Sequence, residues 1–504
     1  MSRRYITTAI PYVNSKPHLG FAMELVETDV IARHWRHRGH DVRFLSGTDD
    51  NSLKNAIAAE AEGVSTSELV DRNAAAFHDL RDPLQISFDD FICTSADPRH
   101  KVGVDRLWRA TDESGDLYRK DFEGLYCIGC EQFYNDSELV DGLCPEHLTA
   151  PQLISEENWF FKLSRYEDRL RELIGSGELR IEPESRRNEV LGFINTGLQD
   201  FSISRSTDRA RGWGIEVPGD PDQVIYVWWD ALGNYITALD YGTDGENYRH
   251  WWTDSDERTH VIGKGIVRFH AVYWPAMLMS AGQPLPTTIF VHDYLTVEGQ
   301  KLGKSLGNAI DPVAIVNQYG TDALRWWLVR EVPRVGDADF TIDRLVSRYN
   351  EDLANGLGNL VNRTVIMIHK YRDGMIPALP DPLPGRLLTD TIASAPATVD
   401  AAMERFDFRQ ATAAVWKIVE EANRYVVEAE PWNLAKAEKN GDTEAGRKLS
   451  DTLALLIHTT RTVADELTPF LPEAAKRVTA QLGSGGDQLS TPQQLFPRLE
   501  GPGS

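Results

Sequence analysis

Thr7-Thr8-Ala9-Ile10-Pro11-Tyr12-Val13-Asn14-Ser15-Lys16-Pro17-His18-Leu19-Gly20-Phe21 passes from one kind of secondary structure to another within fifteen residues. Thr7 to Val13 is β-branched and apolar, which suits a strand. Asn14 to Gly20, with Pro11 ahead of it and Pro17 and Gly20 within it, reads as a loop. Phe21 to Arg38 then shows a helical period, and Val42 to Gly47 reads as a second short buried strand. Strand, helix and strand at this spacing predict a βαβ unit and a parallel sheet. The loop sets His18 and backbone donors at a helix N-terminus, where phosphate is favoured.

Strand-like runs return at Val224 to Val227, His260 to Ile262 and Thr288 to Val291, and a further run spans Ile289 to Val297. Between residues 116 and 225 the chain carries a cysteine cluster, several turns and an amphipathic piece, Tyr166 to Ile174. One α/β domain broken by an insertion accounts for this order. Asp311-Pro312 starts a helix, with Asp as N-cap and Pro at the first helical position. From Arg344 the pattern is helical almost throughout, with a proline-rich break at 377–385 and long periodic segments at Ala411 to Val427 and Leu449 to Leu467. The tail after Leu482 is rich in Gly, Ser and Pro and is expected to be loose.

The 504 residues allow three to four domains, and a 41% hydrophobic content allows sizeable cores. No apolar run reaches about 18 residues, so no membrane span is expected. The start, Met1-Ser2-Arg3-Arg4, leads into a strand and does not read as a signal peptide, so the expected location is the cytoplasm. The net charge of −23 argues against bulk attraction to nucleic acid. It leaves room for a local basic groove. Four cysteines in so long a chain are not a disulfide scaffold. Cys93, in Phe91-Ile92-Cys93, reads as a core residue.

The other three cysteines form Cys127-x2-Cys130-x13-Cys144-x2-His147. Two close pairs separated by a loop close a tetrahedral zinc site, and four protein ligands make it structural. A second loop, Lys301-Leu302-Gly303-Lys304-Ser305, offers two lysines to polyphosphate. It is not a P-loop, because Glu298 stands where the first glycine belongs.

The early His-x-Gly and the late Lys-x-x-Lys-Ser together resemble the paired signatures of class I aminoacyl-tRNA synthetases. Within that class the chain resembles the methionyl-tRNA synthetases from about residue 4 to residue 499. The resemblance is carried by Ile10 to Asn14, Phe44 to Asp49, Tyr226 to Leu232, Phe269 to Ala276 and Phe290 to His292, and the zinc spacing fits the single-knuckle form. It implies a Rossmann-type parallel-sheet catalytic domain (1–115 and 226–310), a zinc-binding connective insertion (116–225), a linking region (311–345) and an all-α anticodon-binding bundle (346–504). It also implies methionine–tRNA ligase activity with ATP, Mg²⁺ and one structural Zn²⁺. The methionine pocket falls on Ile10, Tyr12, Asp49, Trp228, Ala231, Leu232, Tyr235 and His292. ATP falls on His18, Gly20, Phe21, Gly263, Lys301, Lys304 and Ser305, of which His18, Lys301 and Lys304 serve catalysis. Asp49 pairs with the substrate ammonium, and Tyr12, Trp228 and Tyr235 enclose the thioether. The partners implied are methionine and tRNA(Met) with a CAU anticodon, without DNA, and a monomer is expected. Asn359 and Arg363, four apart on one helical face, and Trp432 match anticodon contacts. As a bare residue Trp432 reads as core.

The departures cluster where ATP is expected. Phe21 replaces the last histidine of the first signature, Gly265 replaces a carboxylate for the ribose, and Gly303 lies in the lysine loop. Asp293 replaces a glycine, and Asp49-Asp50-Asn51-Ser52 replaces an Asp-Glu-His-Gly run. Slower adenylate formation is expected, unless Asn51 or Arg268 substitutes. Two other readings stay open: a paralogue that activates methionine or an analogue for a small-molecule pathway, and a catalytically weak tRNA-binding protein.

Overall fold

The computed structural model describes residues 2–129, 132–134, 136–145, 148–302, 309–483 and 488–501. Ile6, Thr7 and Thr8 put three β-branched side chains in a row. The strand they form, β1 (Arg3–Thr8), is buried on both faces from Tyr5 onward. Such a strand needs neighbours on both edges and cover on both faces. It pairs in parallel with β2 (Asp41–Thr48) on one side and β5 (Glu257–Gly263) on the other. Beyond them lie β3 (Asp90–Cys93), β6 (Thr288–His292) and β4 (Arg180–Glu182), giving the parallel order β3-β2-β1-β5-β6-β4. The order reverses between β1 and β5, where ligands bind outside the carboxyl ends of open α/β sheets.

Helix α1 (Leu19–His37) crosses from β1 to β2. It opens where the His18 carbonyl accepts from the amides of Phe21 and Ala22, and it stops before Gly39 at φ +81°. Gly47 permits the β2–β3 contact, since a Cβ there would lie 2.3 Å from the Ile92 carbonyl oxygen. Cys93, expected in the core, ends β3 only partly buried, and burial pushes its thiol up to about 11.

Two antiparallel sheets interrupt the parallel one. The first pairs Leu117–Cys127 with Gln152–Phe161, flanked by Gln132–Tyr134 and Phe201–Ser202. The second joins Ser204–Ser206, Asp220–Ile225 and Glu216–Val217. The sequence reading is corrected in four places. The first strand runs Arg3–Thr8, not Thr7 to Val13, and ends before Pro11, which has no amide to give a ladder. Val224 and Ile225 belong to the second antiparallel sheet, and Val227 begins helix α2 (Val227–Thr237). Arg180–Glu182, inside the expected insertion, returns to the parallel sheet as its edge strand. The run Ile289 to Val297 splits, because β6 ends at His292 and Leu295–Val297 joins a small sheet with Gln300–Lys301 and Ala338–Asp339. Short apolar runs carry no period that separates a strand from a helix start.

The chain condenses into two units. The first takes residues 1–28, 39–82 and 86–292, and the second takes 29–38, 83–85 and 293–504. The core of the first holds Trp229, Trp252 and Trp274, each fully buried. In the second, the Asp311 side chain caps Pro312–Tyr319 by accepting from the Val313 amide, as the sequence predicts. After Thr321–Glu331, Ile342–Arg348 and the π-helical Tyr349–Gly358 come α3 (Asn359–Arg372), α4 (Arg386–Met403), α5 (Phe408–Ala429), α6 (Pro431–Lys439), α7 (Thr443–Leu467) and α8 (Pro472–Leu482). Apolar stripes on α5 (Val415, Ile418, Val419, Ala422) and α7 (Leu449, Leu453, Leu456) are buried. The tail is tighter than expected. Leu489 and Phe496 are buried, the Leu489 amide donates to the Gly374 carbonyl at 2.9 Å, and Gln481 bonds to Thr491 and Gln493. Two apolar anchors within a polar tail suffice to seat it. No described helix is long and apolar enough to cross a membrane.

Candidate active site

Parallel strands bring their C-terminal ends to one edge of the sheet. That edge carries Ile10 beyond β1, Asp49 beyond β2, and Gly263 and His292 as register partners at the ends of β5 and β6. Tyr12 and Asp49 form a parallel bridge, and the Asp49 amide donates to the Pro11 carbonyl at 2.9 Å. Asp49 is 2% exposed, and its carboxylate accepts from the Asn51 amide at 3.3 Å. A buried carboxylate at this edge suits a cationic group, because a charge out of water needs a partner. Ile10 packs toward Gly47, its methyl 3.1 Å from where a Cβ would stand.

Helix α2 supplies the facing wall. Trp228, Ala231, Leu232 and Tyr235 recur at i, i+3, i+4 and i+7 and share one face. The Tyr12 ring meets Trp228 edge-on at 6.2 Å, and Trp228 stacks on Phe269 at 3.7 Å. The Tyr235 hydroxyl lies 2.6 Å from Nε2 of His270, whose Nδ1 lies 3.0 Å from the Ile266 carbonyl. Burial holds His270 down at about 4, so the ring is neutral near pH 7. Nδ1–H then donates to the carbonyl, and Nε2 accepts from Tyr235. Phe269 and His270 sit on a π-helical turn, Phe269–Tyr273. The sequence reading missed both as site residues. The signal was present in Phe269 to Ala276, but a 3.6-residue period cannot show a π-turn.

His292 ends β6. Its Nε2 pairs with Glu24 Oε2 at 2.9 Å, and Glu24 Oε1 accepts from the Ala9 amide at 2.8 Å. His18 sits just before α1 and Gly20 in its first turn, and the Gly20 amide donates to His18 Nδ1 at 3.0 Å. A Cβ on Gly20 would stand 2.8 Å from His18 Cε1, so glycine keeps room for the ring. Phe21 is 8% exposed and packs on Phe77 at 5.1 Å. Gly265 lies in the short turn Lys264–Ile266. Arg268, a candidate substitute, is engaged elsewhere, over Phe193 at 4.3 Å and near Glu138 at 3.4 Å. Lys301 is the backbone partner of Thr296 in the second unit, while Lys304 and Ser305 lie outside the described residues.

Asp50 is 1% exposed. Its Oδ2 accepts from the amide and hydroxyl of Ser95, and its Oδ1 has no hydrogen-bond partner among the described residues. Burial pushes its carboxyl from the ordinary 3.8 up to about 6. The folded state therefore binds this proton more tightly than the unfolded chain does. Stability from this group is full below pH 4 and falls as pH rises through 6, by at most about 3 kcal/mol. Asp50→Asn is expected to raise the thermal midpoint at pH 8 and to flatten the decline between pH 4 and 7. An unchanged slope would show that Asp50 stays ionised in the fold.

In the metal set, Cys127 and Cys144 are fully buried in a small cluster with Tyr134, beside Leu139. Neither forms a disulfide, and Cys144 Sγ lies 3.6 Å from the Tyr134 hydroxyl. Cys130 and His147 lie outside the described residues. In the helical unit, Asn359 and Arg363 share α3, with Asn359 exposed. Trp432 on α6 is 42% exposed, which corrects its reading as core.

Comparison with known proteins follows this geometry. Residues 4–152 and 147–365 match the family model described as tRNA synthetases class I (M), and residues 384–499 match the anticodon binding domain of methionyl tRNA ligase. The methionine–tRNA ligase of Caldanaerobacter subterraneus subsp. tengcongensis is 42% identical over 98% of this chain and 79% of its own. That of Mycobacterium bovis is 41% identical over 100% and 99%. The solved structure of Mycobacterium tuberculosis methionyl-tRNA synthetase with methionyl-adenylate superposes with a TM-score of 0.93 at 39% identity, covering 99% of this chain and all of that one.

Proposed function

Because the chain belongs to the methionyl branch of the class I tRNA synthetases, we propose that its strand-end site binds methionine and ATP and that its helical end takes the tRNA. The protein is a methionine–tRNA ligase. The observation that carries the site assignment is Tyr12, which bridges the buried Asp49 on one side and touches Trp228 of the α2 wall on the other.

In this reading Asp49 takes the methionine ammonium. Tyr12, Trp228 and Tyr235 enclose the side chain with Ile10, Ala231 and Leu232, and His270 fixes the Tyr235 hydroxyl. The methionine carboxylate oxygen attacks the ATP α-phosphorus, the α–β bond breaks, and pyrophosphate leaves. The terminal ribose hydroxyl of the tRNA then attacks the adenylate carbonyl and releases AMP. No side-chain nucleophile is needed, so catalysis rests on positioning and on donors aimed at developing charge. His18, Lys301 and Lys304 serve the phosphates, with Gly20, Gly263 and Ser305 shaping the nucleotide's bed, and Mg²⁺ supplies countercharge there. His292 lines the methionine pocket from the end of β6, steadied there by Glu24. Phe21 gives no hydrogen bond, so adenylation is expected to run slower than in a family member with histidine there.

ATP–pyrophosphate exchange across the twenty amino acids and methionine analogues tests this. Exchange with methionine, followed by charging of tRNA(Met), supports it. Exchange with an analogue alone would favour the small-molecule paralogue, and tRNA binding without exchange would favour the weak tRNA-binding protein.

The segments assigned are catalytic 1–115 and 226–310, connective 116–225, linking 311–345 and anticodon-binding 346–504. Asn359, Arg363 and the exposed Trp432 read a CAU anticodon, and the working form is a cytoplasmic monomer, testable by light scattering. One structural zinc is held by Cys127, Cys130, Cys144 and His147. Two buried thiols beside so small an apolar cluster support this, since such a cluster holds little by burial alone. Elemental analysis is expected to find one zinc per chain, and Cys127→Ser is expected to lower it to background. Full zinc in that variant would place the metal elsewhere.

A further inference from the structure

The interior strand β5 is buried from Thr259 to Ile262, and among its β-branched side chains it carries one imidazole, that of His260. Burial, then the neighbouring His270 and Arg258, hold His260 well below the ordinary 6.5, so the ring is neutral. A parallel strand buried on both faces favours valine or isoleucine. A polar ring in that place is tolerated only when its nitrogens are satisfied.

Both nitrogens of His260 have partners, and the partners fix the tautomer. The indole Nε1–H of Trp274 donates to His260 Nε2 at 3.2 Å. An indole nitrogen only donates, so Nε2 is bare and the ring proton resides on Nδ1. Nδ1–H then donates to the Thr7 hydroxyl at 2.9 Å. Thr7 is the register partner of His260 on β1. The face of the ring is used as well, since the Tyr235 ring of α2 lies against it at 4.1 Å, tilted by 32°.

These partners reach the pocket wall from two directions. Trp274 is fully buried and begins the helix Trp274–Ser280, directly after the π-helical turn Phe269–Tyr273. That turn lays Phe269 on Trp228 at 3.7 Å and brings His270 to the Tyr235 hydroxyl at 2.6 Å. Turns of this kind are rare and occur mostly at functional sites. The Trp274 indole pins one end of the turn to the sheet, and the tyrosine that bonds to the turn is backed by the same imidazole.

We propose that His260 is a positioning residue for methionine: by accepting from Trp274 and backing Tyr235, it holds the thioether side of the pocket in its binding geometry. It touches no reacting atom. The role presupposes that the strand-end site binds methionine. It bears on methionine binding and not on the phosphate chemistry, which is served from the loop at His18.

The test is ATP–pyrophosphate exchange with the full chain, with methionine and ATP varied separately. His260→Asn keeps a donor near the place of Nδ1 but offers no acceptor at the place of Nε2, so the Trp274 N–H is left unmet. Its methionine KM is expected to rise at least about tenfold, with kcat and the ATP KM within about threefold of wild type, the pattern of a lost ground-state contact. His260→Gln sets an amide oxygen where Nε2 stands and should return the methionine KM to within about threefold of wild type. Trp274→Phe removes the donor. In that background His260→Asn should change the methionine KM by less than about twofold, because the two side chains act as one unit. A merely structural role would lower the thermal midpoint of these variants and leave the methionine KM unmoved where they are folded. An unmoved KM in His260→Asn, a Gln variant no better than the Asn variant, or full additivity with Trp274→Phe would overturn the proposal. If His260→Asn does not fold, Thr7→Val takes its place. It frees Nδ1 and admits the tautomer that cannot accept from Trp274, so the methionine KM should rise about threefold, and an unchanged value overturns the proposal. Absence of methionine-dependent exchange in the wild type would overturn the site reading and the role with it, whereas exchange with unmoved KM values in the variants overturns the role alone.

Discussion

Arg325→Met is expected to cost the protein about 3–5 kcal/mol, measured as a drop in the urea midpoint followed by circular dichroism. Arg325 and Asp29 are both fully buried and pair at 2.8 Å. The guanidinium also donates to three carbonyls, those of Phe470 at 2.9 Å, Leu84 at 2.9 Å and Pro469 at 3.3 Å. These groups belong to three separate stretches of the second unit: the end of α1, residues 83–85 and the turn before α8. A buried pair contributes little beyond a well-packed apolar substitute, because desolvation offsets attraction. Removing one partner is different, since the other is left charged and dry. Methionine fills the volume but offers no donor, so three carbonyls lose their bonds together. Asp29 keeps Arg33 at 2.7 Å, which limits the damage. Arg325→Lys keeps the charge but loses the planar fork, and it should fall between. A loss under about 1 kcal/mol in the methionine variant would mean that water reaches these carbonyls.

Much of the first unit was legible in the sequence because its period is short and strong. Thr7 to Gly20 shows strand, loop and helix start in local composition, and α1 follows within two residues, but β1 runs Arg3–Thr8 and stops well short of the expected Val13. The helical end was legible for the same reason, since α5 and α7 repeat their apolar residues over many turns. What failed was decided by distant partners. Val224 and Ile225 carry the composition of a core strand, yet they pair with Ser204 and Arg205, about twenty residues back, not with the parallel sheet. Arg180–Glu182 is too short and polar to announce an edge strand, and it is one because the free edge of β6 lies beside it. The α2 wall could be read as family order in Tyr226 to Leu232, and Trp228, Ala231, Leu232 and Tyr235 share one face of that helix. His270 could not, because its role rests on a 2.6 Å contact across 35 residues. Arg325 offers no sequence signal at all. Its meaning lies in three carbonyls that only the fold brings together.

His18→Ala is expected to lower the rate of methionine-dependent pyrophosphate exchange by roughly a hundred- to thousandfold, equivalent to about 2.7–4 kcal/mol of transition-state stabilisation. The local geometry fixes the donor. The Gly20 amide donates to His18 Nδ1 at 3.0 Å, so Nδ1 is an acceptor and the ring proton resides on Nε2. That N–H is then held at the N-terminus of α1, where negative charge on a pentavalent phosphate is favoured. The second side chain of this signature cannot share the load, because Phe21 has no donor and is packed on Phe77. The loss should fall on kcat, with the methionine KM within about threefold, because the contact strengthens as charge develops. Gly20→Ala supplies an independent check. It leaves the imidazole in place chemically, but its Cβ would stand 2.8 Å from His18 Cε1 and displace the ring. Its rate should lie between wild type and His18→Ala, with the same signature in kcat. If His18→Ala loses less than about tenfold, the phosphate is met by another group, and the assignment of this loop to catalysis fails.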